Sequence, residues 1–118
     1  MLPVQIFGIK KSSATRAADR FFKERRATIH SVDLTQKPMS PGEIRRFIER
    51  YTLAALIDAE SKAWRDAGLQ YMRLSDTDLL ARIERHPDLL RLPFVRCANK
   101  ISIGQDEAAW RQMAEKIA

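Results

Sequence analysis

The side chains of this sequence that could do chemistry are few. They are one cysteine (Cys97), two histidines (His30 and His86), and a pair of serines beside a pair of lysines in Lys10-Lys11-Ser12-Ser13. A single cysteine excludes an internal disulfide, and Cys97 with two histidines at unrelated spacings gives no metal-ligand pattern, so no metal is expected. The serines carry more because of where they fall. Val4-Gln5-Ile6-Phe7 is a short apolar run, and Gly8 permits the turn that follows it. From Ala14 the period changes, and Ala14, Ala17, Ala18, Phe21 and Phe22 share one helical face while Arg16, Asp19, Arg20 and Lys23 take the other. A helix start leaves backbone N–H groups unpaired and carries partial positive charge. Lys10, Lys11, Ser13 and Arg16 around that start are therefore anion-binding candidates for a small oxyanion, with surface solubility as the competing reading.

The elements that must position this turn follow in order. Ala27–Leu34 has strand composition, and strand, helix, strand in succession predicts a right-handed parallel crossover. Ser40-Pro41-Gly42-Glu43 supplies an N-cap, a proline at the first helical position and a glutamate to close a capping box. Ile44, Phe47, Ile48 and Tyr51 then line the inner face of that helix. A short helix or turn is expected through Leu56-Ile57-Asp58, a helix around Lys62–Asp66 stopping at Gly68, and a capped helix from Ser75 closed by His86-Pro87. A strand after Pro93, a turn at Asn99-Lys100 and a half-buried strand with Ile101 and Ile103 alternating with Ser102 form a hairpin. The last helix places Trp110, Met113, Ala114 and Ile117 on one face. Trp64, Tyr71 and Trp110 read as core.

Composition narrows the classes. The sequence of 118 residues, 45% hydrophobic, reads as one domain able to bury a core unaided. No apolar run approaches the ~20 residues of a membrane span, and the N-terminus lacks a signal-peptide pattern, so a cytoplasmic protein without membrane partners is expected. The net charge of +6 is concentrated. Residues 10–26 hold seven basic side chains against Asp19 and Glu24. With no aromatic residues interleaved as stacking platforms, this reads as a solvated basic helix and argues against nucleic acid.

The opening Phe7-Gly8-Ile9-Lys10-Lys11-Ser12-Ser13-Ala14-Thr15-Arg16 resembles the "YGIKxCxTxRKA" start of the arsenate reductase-like (ArsC/Spx/YffB) family. Ala18–Arg25 is similar to that family's "AxxFFKER" helix, Leu56-Ile57-Asp58 to its "LID/LIN", His86-Pro87-Asp88-Leu89-Leu90 to "HPxLLKRP", and Ser102-Ile103-Gly104 to "xVG". The resemblance covers nearly the whole chain. It implies an α/β thioredoxin-like fold with a four-stranded mixed sheet in βαβ…ββα order, residues 1–34 and 91–118 forming the core and about 35–90 an inserted helical lobe. It also implies a cis-proline at Pro93.

The family's enzymes use a thiolate at the helix start, with arginines holding the oxyanion, and this sequence departs at each position. Ser12 replaces the nucleophilic cysteine, Glu60 stands where an arginine is expected after Leu56-Ile57-Asp58, and Leu92 where arginine commonly precedes the proline. A thiol with a reference pKa of ~8.5 can be brought below neutrality by a helix N-terminus and lysines, whereas an alcohol, as weak an acid as water, cannot. Ser12 therefore reads as an N-cap, and nothing marks His30 or His86 as its general base. Cys97 reads as a structural free thiol, with Arg96 and Lys100 as neighbours that would lower its pKa if it were reactive.

Three functions follow from the resemblance. One is a member without reductase activity that acts through contacts with a protein partner. The second is a glutathione- or glutaredoxin-linked arsenate or disulfide reductase, with glutathione as its only cofactor. The third is a regulator resembling the branch of the family that binds RNA polymerase.

Overall fold

In the computed structural model, which describes the backbone of residues 3–117 and the side chains of residues 3–115, the sheet is built of β1 (Val4–Gly8), β2 (Ile29–Asp33), β3 (Phe94–Cys97) and β4 (Lys100–Ile103). Its order is β2-β1-β3-β4. β1 and β2 run parallel, joined through helix α1 (Ser13–Glu24), while β3 is antiparallel to both β1 and β4. Between β2 and β3 lie α2 (Pro41–Tyr51), α3 (Leu53–Leu56), α4 (Lys62–Asp66), a 3-10 turn at Leu69–Tyr71, α5 (Asp76–Arg85) and a second 3-10 turn at Pro87–Leu89. Helix α6 (Glu107–Ile117) ends the chain's described part.

Local chemistry explains the boundaries. Ser40 accepts from Glu43 N–H at 3.2 Å while the Glu43 carboxylate accepts from Ser40 N–H at 2.9 Å, a complete capping box with Pro41 in the first turn of α2. Ser61 and Ser75 cap α4 and α5 with the side-chain bond alone, accepting from the N–H of Trp64 and Asp78. Gly68, at φ 70°, ends α4 in the left-handed region that glycine enters without strain.

The strand period sorts the core into two clusters on opposite faces of the sheet. Val4, Ile6, Val95 and Cys97 pack with Ala18 and Phe22 of α1 and Trp110 and Met113 of α6. Phe7, Ile9 and Phe94 face the other way, with Phe47 of α2, Leu56 of α3, Ile83 of α5, and Leu69 and Leu89 from the 3-10 turns. Phe47 links that cluster, stacked on Phe94 at 4.9 Å and edge-on to Phe7 at 6.4 Å.

Several expectations needed correction. The second strand is Ile29–Asp33 rather than the longer run from Ala27, because Arg26 at φ 58° reverses the chain after α1. The hairpin turn is Ala98-Asn99, one residue earlier than expected, since Cys97 and Lys100 form the closing pair. Ser102, expected on an exposed face, is fully buried because α6 covers that side of β4. Tyr71, expected in the core, is 88% exposed, since the tight turn that carries it spends its one inward position on Leu69. Ile117 belongs to the expected inner face of α6, but its side chain lies outside the described residues.

Candidate functional site

The loop between β1 and α1 brings Lys10, Lys11, Ser12, Ser13 and Arg16 together. Ser12 N–H donates to the Ile9 carbonyl at 3.1 Å, which closes the turn. Ser12 Oγ then accepts from Thr15 N–H at 3.1 Å, so the side chain at the position where the sequence resemblance implies a nucleophile is an N-cap. Thr15 lies directly over Gly8, where any Cβ would collide with its side chain, and this contact lets the helix start close on the strand end. Among the described residues, the N–H groups of Ser13 and Ala14 have no hydrogen-bond partner.

Of the cations around this helix start, Lys10 and Lys11 face carboxylates and Arg16 is held by a carbonyl. Arg16 donates from Nη1 to the Lys10 carbonyl at 2.7 Å and is thereby tied to the loop. Lys11 Nζ lies 3.8 Å from an Asp88 carboxylate oxygen, an exposed and weak pair. Lys10 lies near Asp33, whose carboxyl is held below its usual range first by hydrogen bonds from the Thr35 hydroxyl and N–H and, to a lesser extent, by Lys10. A cleft of about 290 Å³ beside the loop is lined by Gly8, Lys10, Thr15, Arg16, Asp19 and Asp33, so acid and base share it. Neither Asp33 nor Asp88 is legible as a partner from sequence, since Asp33 lies one strand away and Asp88 at the far end of the lobe.

Pro93 joins this end of the sheet. Phe7 and Phe94 are register partners, so Pro93 sits beside Gly8, and the Leu92-Pro93 bond is cis. Leu92 is buried in the core cluster with Phe7 and Ile9, and its apolar side chain donates nothing to an anion. Arg91 donates to the Ile57 carbonyl at 3.2 Å and the Ala55 carbonyl at 3.3 Å, and is thereby committed to the lobe backbone. Its place two residues before Pro93 is the only signal of it in the sequence. Glu60 is exposed in the loop before α4, where its N–H donates to Asp58 at 3.2 Å. His30 is exposed on β2 opposite Gln5, and His86 is exposed at the end of α5, so neither is hydrogen-bonded to Ser12.

Cys97 is at the other end of β1. It pairs in register with Val4, four positions from Gly8, or roughly 13 Å along the strand. The thiol is 2% exposed and free, and burial pushes it up from its ordinary value. Arg96 and Lys100 do not offset this. Arg96 directs its Nε to the Ala98 carbonyl at 3.0 Å. Among the described residues, no group of three or more His, Cys, Asp and Glu side chains converges to hold a metal, and no helix is long and apolar enough to cross a membrane.

A mixed sheet with a βαβ opening, a ββα close and a cis-proline beside the helix-start loop defines a thioredoxin-like protein with a helical lobe inserted between its halves. The model of the ArsC family matches residues 7–113, and the chain belongs to that family. A curated relative, the global transcriptional regulator Spx 2 of Oceanobacillus iheyensis, is 27% identical over 114 residues, covering 94% of this chain and 83% of the relative. Among solved structures, a YFFB protein superposes with a TM-score of 0.81 at 14% identity, over 98% of this chain and 99% of its own. The arsenate reductase from Vibrio cholerae superposes with a TM-score of 0.74 at 19% identity, over 99% and 98%. At such identities the two structures speak to the fold alone.

Proposed function

We propose that this ArsC-family chain has no reductase activity and acts by binding another protein in the cytoplasm. The observation that carries the reading is the separation of thiol from helix start. The position where a thiolate would be stabilised holds a capping serine, and the only thiol is buried at the opposite end of β1. No thiolate nucleophile is then available for arsenate or for a disulfide, and no glutathione is required as a cofactor. The loss of arginine at Glu60 and Leu92 supports the same reading, because an oxyanion would lack charge-assisted hydrogen bonds there. Similarity to a transcriptional regulator over most of the chain favours a particular form of it, a regulator whose partner is RNA polymerase.

Turnover with arsenate and with a glutathione mixed disulfide tests this, comparing the natural chain with Cys97→Ser and Ser12→Cys. The natural chain and Cys97→Ser are expected to be silent, and Ser12→Cys to regain disulfide exchange. Turnover by the natural chain that Cys97→Ser abolishes overturns the reading. Co-purification of RNA polymerase on the tagged natural chain tests the regulatory form.

A further inference from the structure

A second cleft, of about 540 Å³, opens at the sheet's β4 edge, far in the sequence from the α1 start. α2 contributes Arg46, Glu49 and Arg50 to its wall, the β3–β4 hairpin contributes Arg96 and Lys100, and α6 closes it with Gln112. Four cations thus share a concavity with a single lining carboxylate. Among the described residues none of the four is within ion-pair distance of a carboxylate, although Lys11, Lys23, Lys62 and Arg111 are. What they do engage leaves their charge unneutralised. Arg96 gives one N–H to the Ala98 carbonyl, and Arg50 lies 5.0 Å over the Tyr51 ring. Arg46 and Arg50 are one helical turn apart and so present two guanidinium forks to the same space. Like charges so gathered raise the local potential and concentrate anions.

We propose that this cleft binds a small polyanion carrying two or more phosphate groups. Its volume lies within the range of small-molecule sites, roughly 300–1,000 Å³. Guanidinium forks match phosphate oxygens bidentately, and Lys100 adds a point charge. No aromatic side chain lines the cleft as a platform for a nucleobase, which directs the inference to the phosphates themselves. An extended acidic peptide added to the β4 edge fits less well. The Tyr51 hydroxyl donates to the Ile101 carbonyl at 3.0 Å and occupies an acceptor on that strand, and β4 is only four residues long. This inference is independent of the reading given for the α1 start.

Calorimetric titration of the full chain with inorganic tripolyphosphate at fixed ionic strength tests it. Arg46→Gln/Arg50→Gln, both at exposed positions, and Lys100→Gln are compared with Lys10→Gln/Lys11→Gln. The natural chain is expected to bind one equivalent, the arginine pair variant about tenfold or more weakly, and the Lys10/Lys11 variant unchanged. Retained circular dichroism and an unchanged melting temperature without ligand establish that each variant is folded. Three outcomes overturn the proposal. One is no binding at millimolar tripolyphosphate, which leaves the cations as guards against edge pairing of β4. The second is loss of binding in the Lys10/Lys11 variant alone. The third is tighter binding of a polyglutamate peptide of matched charge, which makes the cleft a protein contact.

Discussion

The two ends of β1 divide what a thiol enzyme needs to have in one place. At the Gly8 end the chain has a tight turn, a capped helix start with two N–H groups that have no partner among the described residues, and a cis-proline beside it, but no thiol. At the Val4 end it has a thiol, packed with Val4, Ile6, Phe22 and Trp110, where burial works against an anion. The same fold therefore offers one end suited to ionised sulfur and one where burial disfavours it. The location of a cysteine, more than its presence, decides what it can do.

The largest expected effect exchanges the two. Ser12→Cys places sulfur at the helix start, where it is half-buried and next to Lys11, while Cys97 stays enclosed. In Ellman's reagent at neutral pH, the new thiol is expected to react about a hundredfold or more faster than Cys97, which must wait for the fold to open. Equal rates for the two would mean that the Val4 end is open in solution, and the contrast between the ends would collapse.

A smaller effect concerns the backbone that holds the Gly8 end closed. Gly8→Ala drives a methyl into Thr15 and is expected to cost about 1–3 kcal/mol in urea unfolding, as overpacking does. Adding Thr15→Ala should return part of that loss, giving a non-additive double-mutant cycle. Additive costs would break the account of this contact. Smaller again is Ser12→Ala, expected to cost about 1 kcal/mol through the lost cap, with Ser12→Asp largely retaining stability.

Much of this was legible in the sequence because it is local. Ser40-Pro41-Gly42-Glu43 and Ser75-Asp76-Thr77-Asp78 specify helix starts through contacts three residues apart, and both start helices where expected. The change of period at Ala14 placed α1. What escaped depends on what the chain brings back from far away. Ser102 reads as an outward residue until α6 is laid over it, and Tyr71 reads as core until its 3-10 turn proves too short to bury two side chains. At the α1 start, the cations were legible but their opponents Asp33 and Asp88 were not, since no spacing rule connects Lys11 to a residue at the end of the lobe. Arg91 was hidden by the same kind of long-range contact, which ties the strand entry to the carbonyls of Ala55 and Ile57.

The smallest expected effect is a dependence on pH, and its sign separates the two ends once more. Burial raises the Cys97 thiol in the folded chain, so the unfolded chain, whose thiol has a pKa of ~8.5, loses its proton first as pH rises. Over the interval from that value up to the folded one, the folded state holds more protons. Stability then falls with pH, by at most about 1.4 kcal/mol per unit for one group. Tyr51 is shifted in the same direction, mainly by burial, but from a starting value of 10.0, so its contribution begins higher. Urea midpoints measured from pH 7 to about 11 should show that Cys97→Ala flattens the part of the decline that begins near ~8.5 and leaves the part above about 10, which Tyr51→Phe flattens instead. In Ser12→Cys the new thiol sits where a thiolate is favoured, so the folded state gives up that proton first and stability should rise with pH up to ~8.5, before the Cys97 decline begins. No such rise in that variant would mean that the helix start does not stabilise ionised sulfur and that the two ends of β1 do not differ in this respect.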